Sequence, residues 1–410
     1  MFVDVAKTCQ RLVKQLERHS GIVEQHIFDL TLVVISRTDL VDAVNDEKAW
    51  EKHVGPALQN LRPLTGDGLF TASNDEPNWR KAHNIVMPAF TKAAMQGYHP
   101  SMVAAVRELV DVWTTRAADG AWVDIPADAN RRTRTDVIPL YEKLLGQRRR
   151  QKHLRDKAYL REQTTTIINA RRANGRDEDF NDILDIMLHA KDPQTGEKLD
   201  DANIINQITT LLVAGSETSA NTIAFALHYL SRNPHIADTA RDEIDQRWPG
   251  RDFPDITFDD VAKLRYLRRI VDETLRLWPV APGYFRQAKA DTAIGDGSYA
   301  FKAGDWVFVL LLAAHRDHTA WGPDAAEFNP DRFLPDNIRT LPPHIYKPFG
   351  TGVRSCLGRQ FALHEIVLTL AVILHQFDIE PRTGYQLTVS ETLTLKPAGL
   401  RLRLHRREMG

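Results

Sequence analysis

The stretch Phe349-Gly350-Thr351-Gly352-Val353-Arg354-Ser355-Cys356-Leu357-Gly358 decides how this sequence is interpreted. Its glycines allow the backbone to turn tightly and to approach a bound group closely. Cys356 stands just before a predicted helix, Gly358 to Gln376, and the dipole at a helix N-terminus favours a thiolate. Arg354 is placed to pair with an anionic group on the same ligand. The segment therefore predicts a loop built around one sulfur that can bind a metal.

Other interpretations of this loop differ in how well they fit. A lone cysteine in a glycine-rich turn is usually a buried structural residue, and the residues of the loop alone leave that alternative open. A dinucleotide-binding turn does not fit, because the third glycine of that fingerprint is missing. His364-Glu365 begins like a zinc motif, but no second histidine follows four residues later.

Composition restricts the class of protein. The 410 residues are 43% hydrophobic and 26% charged, and no Pro/Gly/Ser-rich linker divides them, which predicts one globular domain over 1–410. The net charge of -1 argues against a nucleic-acid partner. Met1 to Gln15 is typical of an amphipathic helix, and no apolar run is long enough for a membrane anchor. Two cysteines, Cys9 and Cys356, make no disulfide framework, so we expect a reduced, cytoplasmic protein.

Hydrophobic periodicity predicts a mainly α-helical chain with small β-sheets. The charged stretch Gln147 to Lys157 is interpreted as the solvated face of a helix. The predicted helices are Val103 to Thr115, Asn203 to Ser231, Asp259 to Leu277 and Gly358 to Gln376, and the predicted strands are Ile27 to Ile35, Trp306 to Leu311 and Leu400 to His405.

Two polar patterns stand out within the helices. Glu273 and Arg276 share one helix face at i,i+3, which as an isolated pair would be a surface salt bridge of little energetic value. Ala214-Gly215-Ser216-Glu217-Thr218-Ser219 places polar residues in the middle of a long apolar helix, where they are costly unless satisfied or used. The plain alternative is a threonine that bonds back to its own helix, with Glu217 paired nearby.

Position by position, Phe349 to Gly358 is similar to the haem-binding signature of the cytochrome P-450 family. The resemblance implies that Cys356 is the axial thiolate ligand of a haem b iron, with Arg354 on a haem propionate, Phe349 shielding the thiolate and Gly350 close to the cofactor. A thiolate ligand favours cleavage of the O–O bond. The implied fold is a triangular prism with the haem between the long central helix and the helix that follows the cysteine.

The other patterns also match motifs of this family. Glu273-Thr274-Leu275-Arg276 resembles its Glu-x-x-Arg motif, and Arg332 within Pro330 to Phe333 would complete a structural triad. Ala214 to Ser219 resembles the oxygen-activation groove, in which Ala214 and Gly215 leave room over the iron. There Thr218 would hold water or peroxide, and Glu217 would help to relay protons.

The resemblance is greatest to bacterial fatty-acid hydroxylases whose haem domain is fused to a diflavin reductase. It implies that Trp79 and His83, four apart on one helix face, reach the haem propionates together with Lys52. A buried aromatic residue and a surface histidine are the structural alternatives. The residues that the resemblance assigns to the substrate pocket, each of which could equally be plain core, are Phe70, Ala281, Pro282, Leu393 and Ala214.

Three departures from that group affect the prediction. The chain ends at Gly410 with no reductase, so it is either a separate enzyme or a haem domain cut from a fusion. Leu30 to Val34 is apolar where the group carries the basic and tyrosine residues that anchor a fatty-acid carboxylate. Near Asn130-Arg131 (130–132) a core helix and a lid helix are missing. Either the gene is truncated there, or residues that the protein contains were omitted from the sequence and the numbering was closed over the gap. We favour omission, because the loss of a core helix would expose a large apolar surface.

We therefore expect a monooxygenase that hydroxylates long-chain fatty acids or similar hydrophobic molecules with dioxygen. Its electrons would come from NAD(P)H through a ferredoxin, a flavodoxin or a diflavin reductase. A peroxide-driven peroxygenase is one alternative, but Glu217-Thr218 argues against it, since those enzymes lack the acid–threonine pair. A non-catalytic haem sensor is the other, and the intact groove at Thr218 argues against that.

Overall fold

The computed structural model describes residues 8–27, 30–128, 147–173 and 182–408. The chain groups into two compact units. The first unit comprises Met1–His53, His99–Asn130 and Thr218–Gly410, and the second comprises Val54–Tyr98 and Arg131–Glu217. The segment expected to be missing near 130–132 lies outside the described residues, and a single domain over 1–410 stays a prediction.

The strands of the described chain belong to the first unit. The largest sheet has the order β1-β2-β8-β5-β3, in which only β2 and β8 run parallel. A three-stranded sheet has the order β4-β12-β9, and two hairpins pair β6 with β7 and β10 with β11. The strands are β1 Ile22–Ile27, β2 Leu30–Ile35, β3 Trp50–Lys52, β4 Trp122–Asp124, β5 Gly283–Ala288, β6 Thr292–Ile294, β7 Tyr299–Phe301, β8 Trp306–Leu310, β9 Phe377–Pro381, β10 Thr388–Glu391, β11 Leu395–Ala398 and β12 Arg401–Arg406.

The predicted strands compare as follows with the observed ones. Trp306 to Leu311 is confirmed as β8, which passes directly into a short helix at Leu311. Leu400 to His405 is confirmed as β12, with Leu402 and Leu404 buried. The single strand predicted for Ile27 to Ile35 is wrong, because β1 and β2 form an antiparallel pair. β1 carries three consecutive polar residues, Glu24, Gln25 and His26, so it lacks the alternating pattern of a strand, whereas the mainly apolar β2 shows a strand signal.

Helices build the rest of the first unit. They are Thr8–Arg18, Thr38–Val44, Pro234–Arg247, Phe258–Lys263, Arg265–Leu277, Leu311–Ala314, His318–Trp321, Pro335–Thr340, Arg359–Gln376, most of Lys92–Ala118 and the part of Asp201–Arg232 from Thr218 onward. Arg359–Gln376, the cysteine helix, is apolar on nearly every face and is buried from Leu363 to Phe377 except at Glu365, as expected for a helix in the centre of a core.

Two predicted helix boundaries are wrong. Asp259 to Leu277 is not one helix: a capping box between Thr257 and Asp260 starts Phe258–Lys263, and a break at Leu264 precedes Arg265–Leu277. Val103 to Thr115 lies within a longer helix, Lys92–Ala118, which continues through Pro100. A proline is a frequent but not an obligatory helix start, so it gave the wrong first residue.

The second unit is helical. Its elements are Pro56–Thr65, Pro77–Val86, the 3₁₀ turn Met87–Phe90, Gln147–Ala173, Ile183–His189 and the first part of the long helix Asp201–Arg232. The long helix confirms the prediction for Asn203 to Ser231. Gln147–Ala173 confirms a helix at the charged stretch, but the side chains up to 157 lie outside the described part. The core is formed by Ala82, Ile85, Val86, Ile168, Leu184, Met187, Leu188, Leu199, Ile204 and Ile205.

Among the described residues, no helix combines the length and the apolar character that crossing a bilayer requires.

Candidate active site

The cysteine loop is a tight turn closed by its own backbone. The Cys356 N–H donates to the Phe349 carbonyl over 2.9 Å, and the Gly350 N–H donates to the Lys347 carbonyl over 2.9 Å. Gly350 and Gly352 have φ values of 71° and 68°, which L side chains rarely adopt. Both glycines are thus required by the backbone path, and the turn presents the exposed Cys356 just before the cysteine helix.

The charge state of Cys356 depends on its surroundings. Partial burial raises the pKa of the Cys356 thiol, while the Gly358 N–H and the Arg359 guanidinium oppose that rise. The net direction is upward, so the thiol by itself stays protonated near neutral pH. Coordination to a metal ion deprotonates a thiol outright. An accessible sulfur with a backbone donor at a helix start is thus suited to be a metal ligand. Because Cys356 is exposed, the alternative of a buried structural cysteine is wrong.

A lysine outside this loop lies close to an arginine within it. Lys52 ends β3, and desolvation together with the neighbouring Arg354 guanidinium lowers the pKa of Lys52 to about 7. Two positive groups in a poorly solvated place repel each other, and an anionic ligand would relieve that repulsion. Lys52 and Arg354 therefore fit the carboxylates of a haem, and the exposed Cys356 sulfur fits its iron.

Side chains from distant parts of the chain anchor the loop, and the sequence did not reveal them. The Glu47 carboxylate accepts the Val353 N–H over 3.0 Å. The Tyr346 hydroxyl, just upstream of the loop, lies 3.0 Å from an Asp272 carboxylate oxygen and 2.9 Å from the Asp272 carbonyl. These contacts span 306 and 74 positions of sequence, so no local pattern could indicate them.

Glu273 and Arg276 form a completely buried ion pair, not the surface salt bridge that the isolated pattern suggested. Both side chains have 0% exposure, and their two charge-assisted hydrogen bonds measure 2.6 and 2.8 Å. Arg332 approaches Glu273 at 3.6 Å and is held by the Trp321 and Asp324 carbonyls. The predicted three-residue cluster is therefore present.

Arg276 also organises the chain that leads to the cysteine loop. Its remaining N–H groups donate to the His315 carbonyl at 2.8 Å, the Ala325 carbonyl at 2.7 Å and the Glu327 carbonyl at 3.0 Å. The His315 ring in turn accepts the Lys347 N–H at 3.2 Å. The buried Arg276 guanidinium thus fixes the backbone of the segment from 315 to 327. Through its hydrogen bond with the Lys347 N–H, the His315 ring connects this segment to the chain just before the cysteine loop.

The long helix is continuous through the polar segment that the sequence singled out. Ala214 and Gly215 are exposed, and the space where a Cβ would stand on Gly215 is open. The Ser216 hydroxyl donates to the Leu212 carbonyl, which satisfies it within the helix. Glu217 and Thr218 are partly exposed. The two small residues leave open space beside the helix, and the roles of Glu217 and Thr218 in proton transfer stay predictions.

The structure adds an acid that the sequence did not assign. Glu365, on the cysteine helix, faces Ser219, the residue after Thr218. Burial raises the pKa of Glu365 to about 7, and the hydrogen bond from Ser219 opposes that rise. The pattern His364-Glu365 gave no sign of this contact, because it depends on two helices packing together.

The first unit also brings together three of the predicted substrate residues. The Leu395 N–H donates to the Val280 carbonyl over 2.8 Å, which joins the segment carrying Ala281 and Pro282 to the hairpin carrying Leu393. A bond of 3.1 Å between the Thr392 N–H and the Thr394 carbonyl tightens that turn. Ala281 is exposed, and Pro282 and Leu393 are partly exposed, so these apolar surfaces are available to a ligand.

The second unit carries the remaining predicted residues. Trp79 and His83 do share one helix face, with ring centroids 5.1 Å apart. Trp79 is buried and His83 is partly exposed. Phe70 lies in the turn that follows Pro56–Thr65, and its side chain is 36% exposed. The roles of these residues toward a cofactor or a substrate stay predictions.

The family model "Cytochrome P450" matches residues 129–404 of the chain. Among curated proteins, the chain is 37% identical over 440 residues to "Bifunctional cytochrome P450/NADPH--P450 reductase" of Bacillus cereus, covering 98% of the chain and 40% of that protein. A Bacillus subtilis relative with the same name and the number 1 is 37% identical, covering 99% and 41%. The chain thus spans about two fifths of the length of these curated relatives.

Among solved structures, the chain resembles the crystal structure of a cytochrome P450 named CYP102L1. The two are 55% identical, the TM-score is 0.93, and the match covers 100% of each chain. The likeness extends to the whole fold.

Proposed function

The chain belongs to the cytochrome P450 family, and on that basis we propose that it is a haem-thiolate monooxygenase acting on long aliphatic molecules. The observation that carries the proposal is the cysteine loop, where an exposed sulfur stands at a helix start and where Arg354 lies close enough to Lys52 to lower the pKa of that lysine. When bound, the haem supplies the activation of dioxygen and the insertion of one oxygen atom into a C–H bond. The second oxygen atom leaves as water, with two electrons and two protons consumed.

The residues of the chain hold the cofactor and manage protons. Cys356 would hold the haem iron through its sulfur, and the Gly358 N–H would stabilise negative charge on that sulfur. Lys52 and Arg354 would neutralise the haem carboxylates. Thr218 holds water by its hydroxyl, and the Glu217 carboxylate passes protons inward from solvent.

Exchanging Thr218 for alanine separates a monooxygenase from a peroxide-driven enzyme. In a monooxygenase the variant should still consume NAD(P)H, while hydrogen peroxide rises and the yield of hydroxylated product per electron falls about tenfold or more. The measurement compares NAD(P)H consumed, peroxide released and product formed, with a ferredoxin pair or a diflavin reductase as donor.

Thr222→Ala is the matched control for that experiment. Thr222 lies one turn later, and its hydroxyl donates to the Thr218 carbonyl over 2.9 Å. Loss of the Thr222 hydroxyl should leave the coupling, the yield of hydroxylated product per electron consumed, unchanged. Equal coupling in wild type and Thr218→Ala would contradict the role of Thr218 and would leave it as an ordinary helix residue.

The proposed substrates are long-chain fatty acids or similarly hydrophobic molecules. Phe70 in the second unit, and Ala281, Pro282 and Leu393 in the first, offer aromatic and aliphatic surface. Burying such surface contributes about 25 cal/mol per Å² removed from water. An extended alkyl chain gains more from this than a compact polar molecule does.

We expect a fatty acid, its alcohol and its methyl ester to bind with Kd values within about tenfold, or ~1.4 kcal/mol. No basic residue stands in 30–35, and Val34 and Ile35 are fully buried. His26, opposite Thr31, is exposed beside Glu24, so it offers a carboxylate little. The test is a Soret titration with matched ligands of one chain length. An acid that binds much more tightly would show that another basic residue anchors it.

The proposed electron donor is an NAD(P)H-linked reductase. The names of the two Bacillus relatives join a cytochrome P450 to an NADPH–P450 reductase. The donor is identified by reconstitution: turnover is measured with a diflavin reductase, with a ferredoxin and with a flavodoxin in separate experiments. A cytoplasmic location stays a prediction from the cysteine content.

A further inference from the structure

The turn that carries Phe70 is attached to its surroundings through one carboxylate. Asp67 accepts three side-chain amide donors: Asn78 at 2.7 Å, Asn203 at 3.0 Å and Asn206 at 2.8 Å. Asn78 belongs to the helix Pro77–Val86, and the other two lie on the first turns of the long helix. All four residues belong to the second unit. Asp67 therefore ties the turn to two helices at once.

The bonds to Asp67 are strong and keep it charged. Although burial opposes the charge, the amides of Asn78, Asn206 and Asn203 hold the pKa of Asp67 below its usual value. Hydrogen bonds to an ionised acceptor are about twice as strong as neutral ones. Asn203 is 1% exposed, so its amide could not turn to water if the carboxylate were lost.

The same turn is fixed at two more points along the long helix. The Leu69 N–H donates to the Gln207 side-chain carbonyl over 2.9 Å, and the Gln207 amide donates to Asn203 over 3.0 Å. A Cβ on Gly68 would overlap the hydroxyl of Thr210. The turn thus lies directly against the long helix, and its backbone has little room to shift toward that helix.

Phe70 is the residue that this attachment sets in place. It follows Leu69 directly and keeps a 36% exposed ring, while Thr71 on its other side is fully buried and bonds to the Gly66 carbonyl. Both neighbours of Phe70 are therefore fixed by hydrogen bonds. The direction of the ring depends on the position of a short backbone segment that Asp67 and Gln207 hold.

We propose that Asp67 is a specificity-determining positioning residue: through the turn at 66–71 it sets where the Phe70 ring stands, and so which carbon of an alkyl chain is oxidised. The inference rests on the proposed function, in which Phe70 contacts substrate. Asp67 itself touches no substrate. Its carboxylate acts through the backbone that joins it to Phe70.

The test compares Asp67→Asn with Asp192→Asn. Asparagine offers one oxygen where three amides need an acceptor, so the attachment is weakened with little change of shape. Asp192 is the matched control. It is 1% exposed in the same unit and accepts Asn84 at 2.9 Å, Thr195 at 3.0 Å and the Gln194 N–H at 3.1 Å, but it holds no part of the turn.

The readout is the ratio of hydroxylated positions formed from lauric acid or lauryl alcohol. Hydrogen peroxide drives turnover, because it supplies both the oxygen and the oxidising equivalents: R–H and H₂O₂ give R–OH and H₂O. Asp67→Asn should shift the ratio of hydroxylated positions by about threefold or more toward the ratio given by Phe70→Ala. The Kd of the same substrate, measured by Soret titration, should be higher than in the wild type. Asp192→Asn should keep the wild-type ratio of hydroxylated positions, although its loss of stability in chemical denaturation should be similar to that of Asp67→Asn.

Each outcome decides the question. An unchanged ratio in Asp67→Asn, or an equal shift in both variants, overturns the positioning role. If Phe70→Ala also leaves the ratio unchanged, the proposed contact of Phe70 with substrate is what fails. Should Asp67→Asn not retain haem, Asn206→Ala removes one donor only and is expected to move the ratio in the same direction by less. A wild-type ratio in Asn206→Ala then overturns the inference.

Discussion

Replacing Arg276 by alanine should yield a protein that does not retain haem. The guanidinium is completely buried, pairs with Glu273 through two bonds and holds the carbonyls of His315, Ala325 and Glu327. Removing one partner of a buried pair costs about 3–5 kcal/mol, because the other charge is left uncompensated. Since whole domains are stable by only about 5–15 kcal/mol, this loss should unfold the segment before the cysteine loop.

The measurement is haem content per protein after purification, together with the midpoint of chemical denaturation. Arg339→Ala is the control, because its side chain is 74% exposed and its pair with Asp336 lies in solvent. That substitution should change stability by about 1 kcal/mol or less. A haem content and a midpoint in Arg276→Ala equal to those of Arg339→Ala would contradict the structural role assigned to the cluster.

The second large effect is expected at Cys356. Serine at this position offers a weaker and harder ligand than a thiolate, so hydroxylation driven by NAD(P)H should fall to background. Cys9→Ser should leave activity unchanged. Burial and the neighbouring Glu391 raise the pKa of the Cys9 thiol to about 12, so Cys9 remains a neutral thiol at any working pH.

The parts of this molecule that were predictable from sequence are those that depend on neighbouring residues. The cysteine loop needs glycines at positive φ and a helix start, and both are visible within the ten residues from Phe349 to Gly358. The i,i+3 spacing of Glu273 and Arg276 and the i,i+4 spacing of Trp79 and His83 place each pair on one helix face, as the structure confirms.

The parts that were not predictable depend on contacts between distant segments. The backbone carbonyls that accept hydrogen bonds from the buried Arg276 guanidinium lie 39 to 51 positions further along the chain. The attachment of Glu47 to Val353 and of Asp67 to Asn203 spans 306 and 136 positions. The hairpin of β1 and β2 was missed for a different reason, since the consecutive polar residues Glu24, Gln25 and His26 in β1 lack the alternation that indicates a strand.

The central claim is that the Cys356 sulfur is the axial ligand of a haem iron, and its most direct test is the spectrum of the reduced protein with carbon monoxide. The wild type and Cys9→Ser should both show the long-wavelength Soret band typical of thiolate ligation, and Cys356→Ser should lack it. A wild-type band at the shorter wavelength typical of histidine ligation, or a Cys356→Ser spectrum identical to that of the wild type, would contradict the claim.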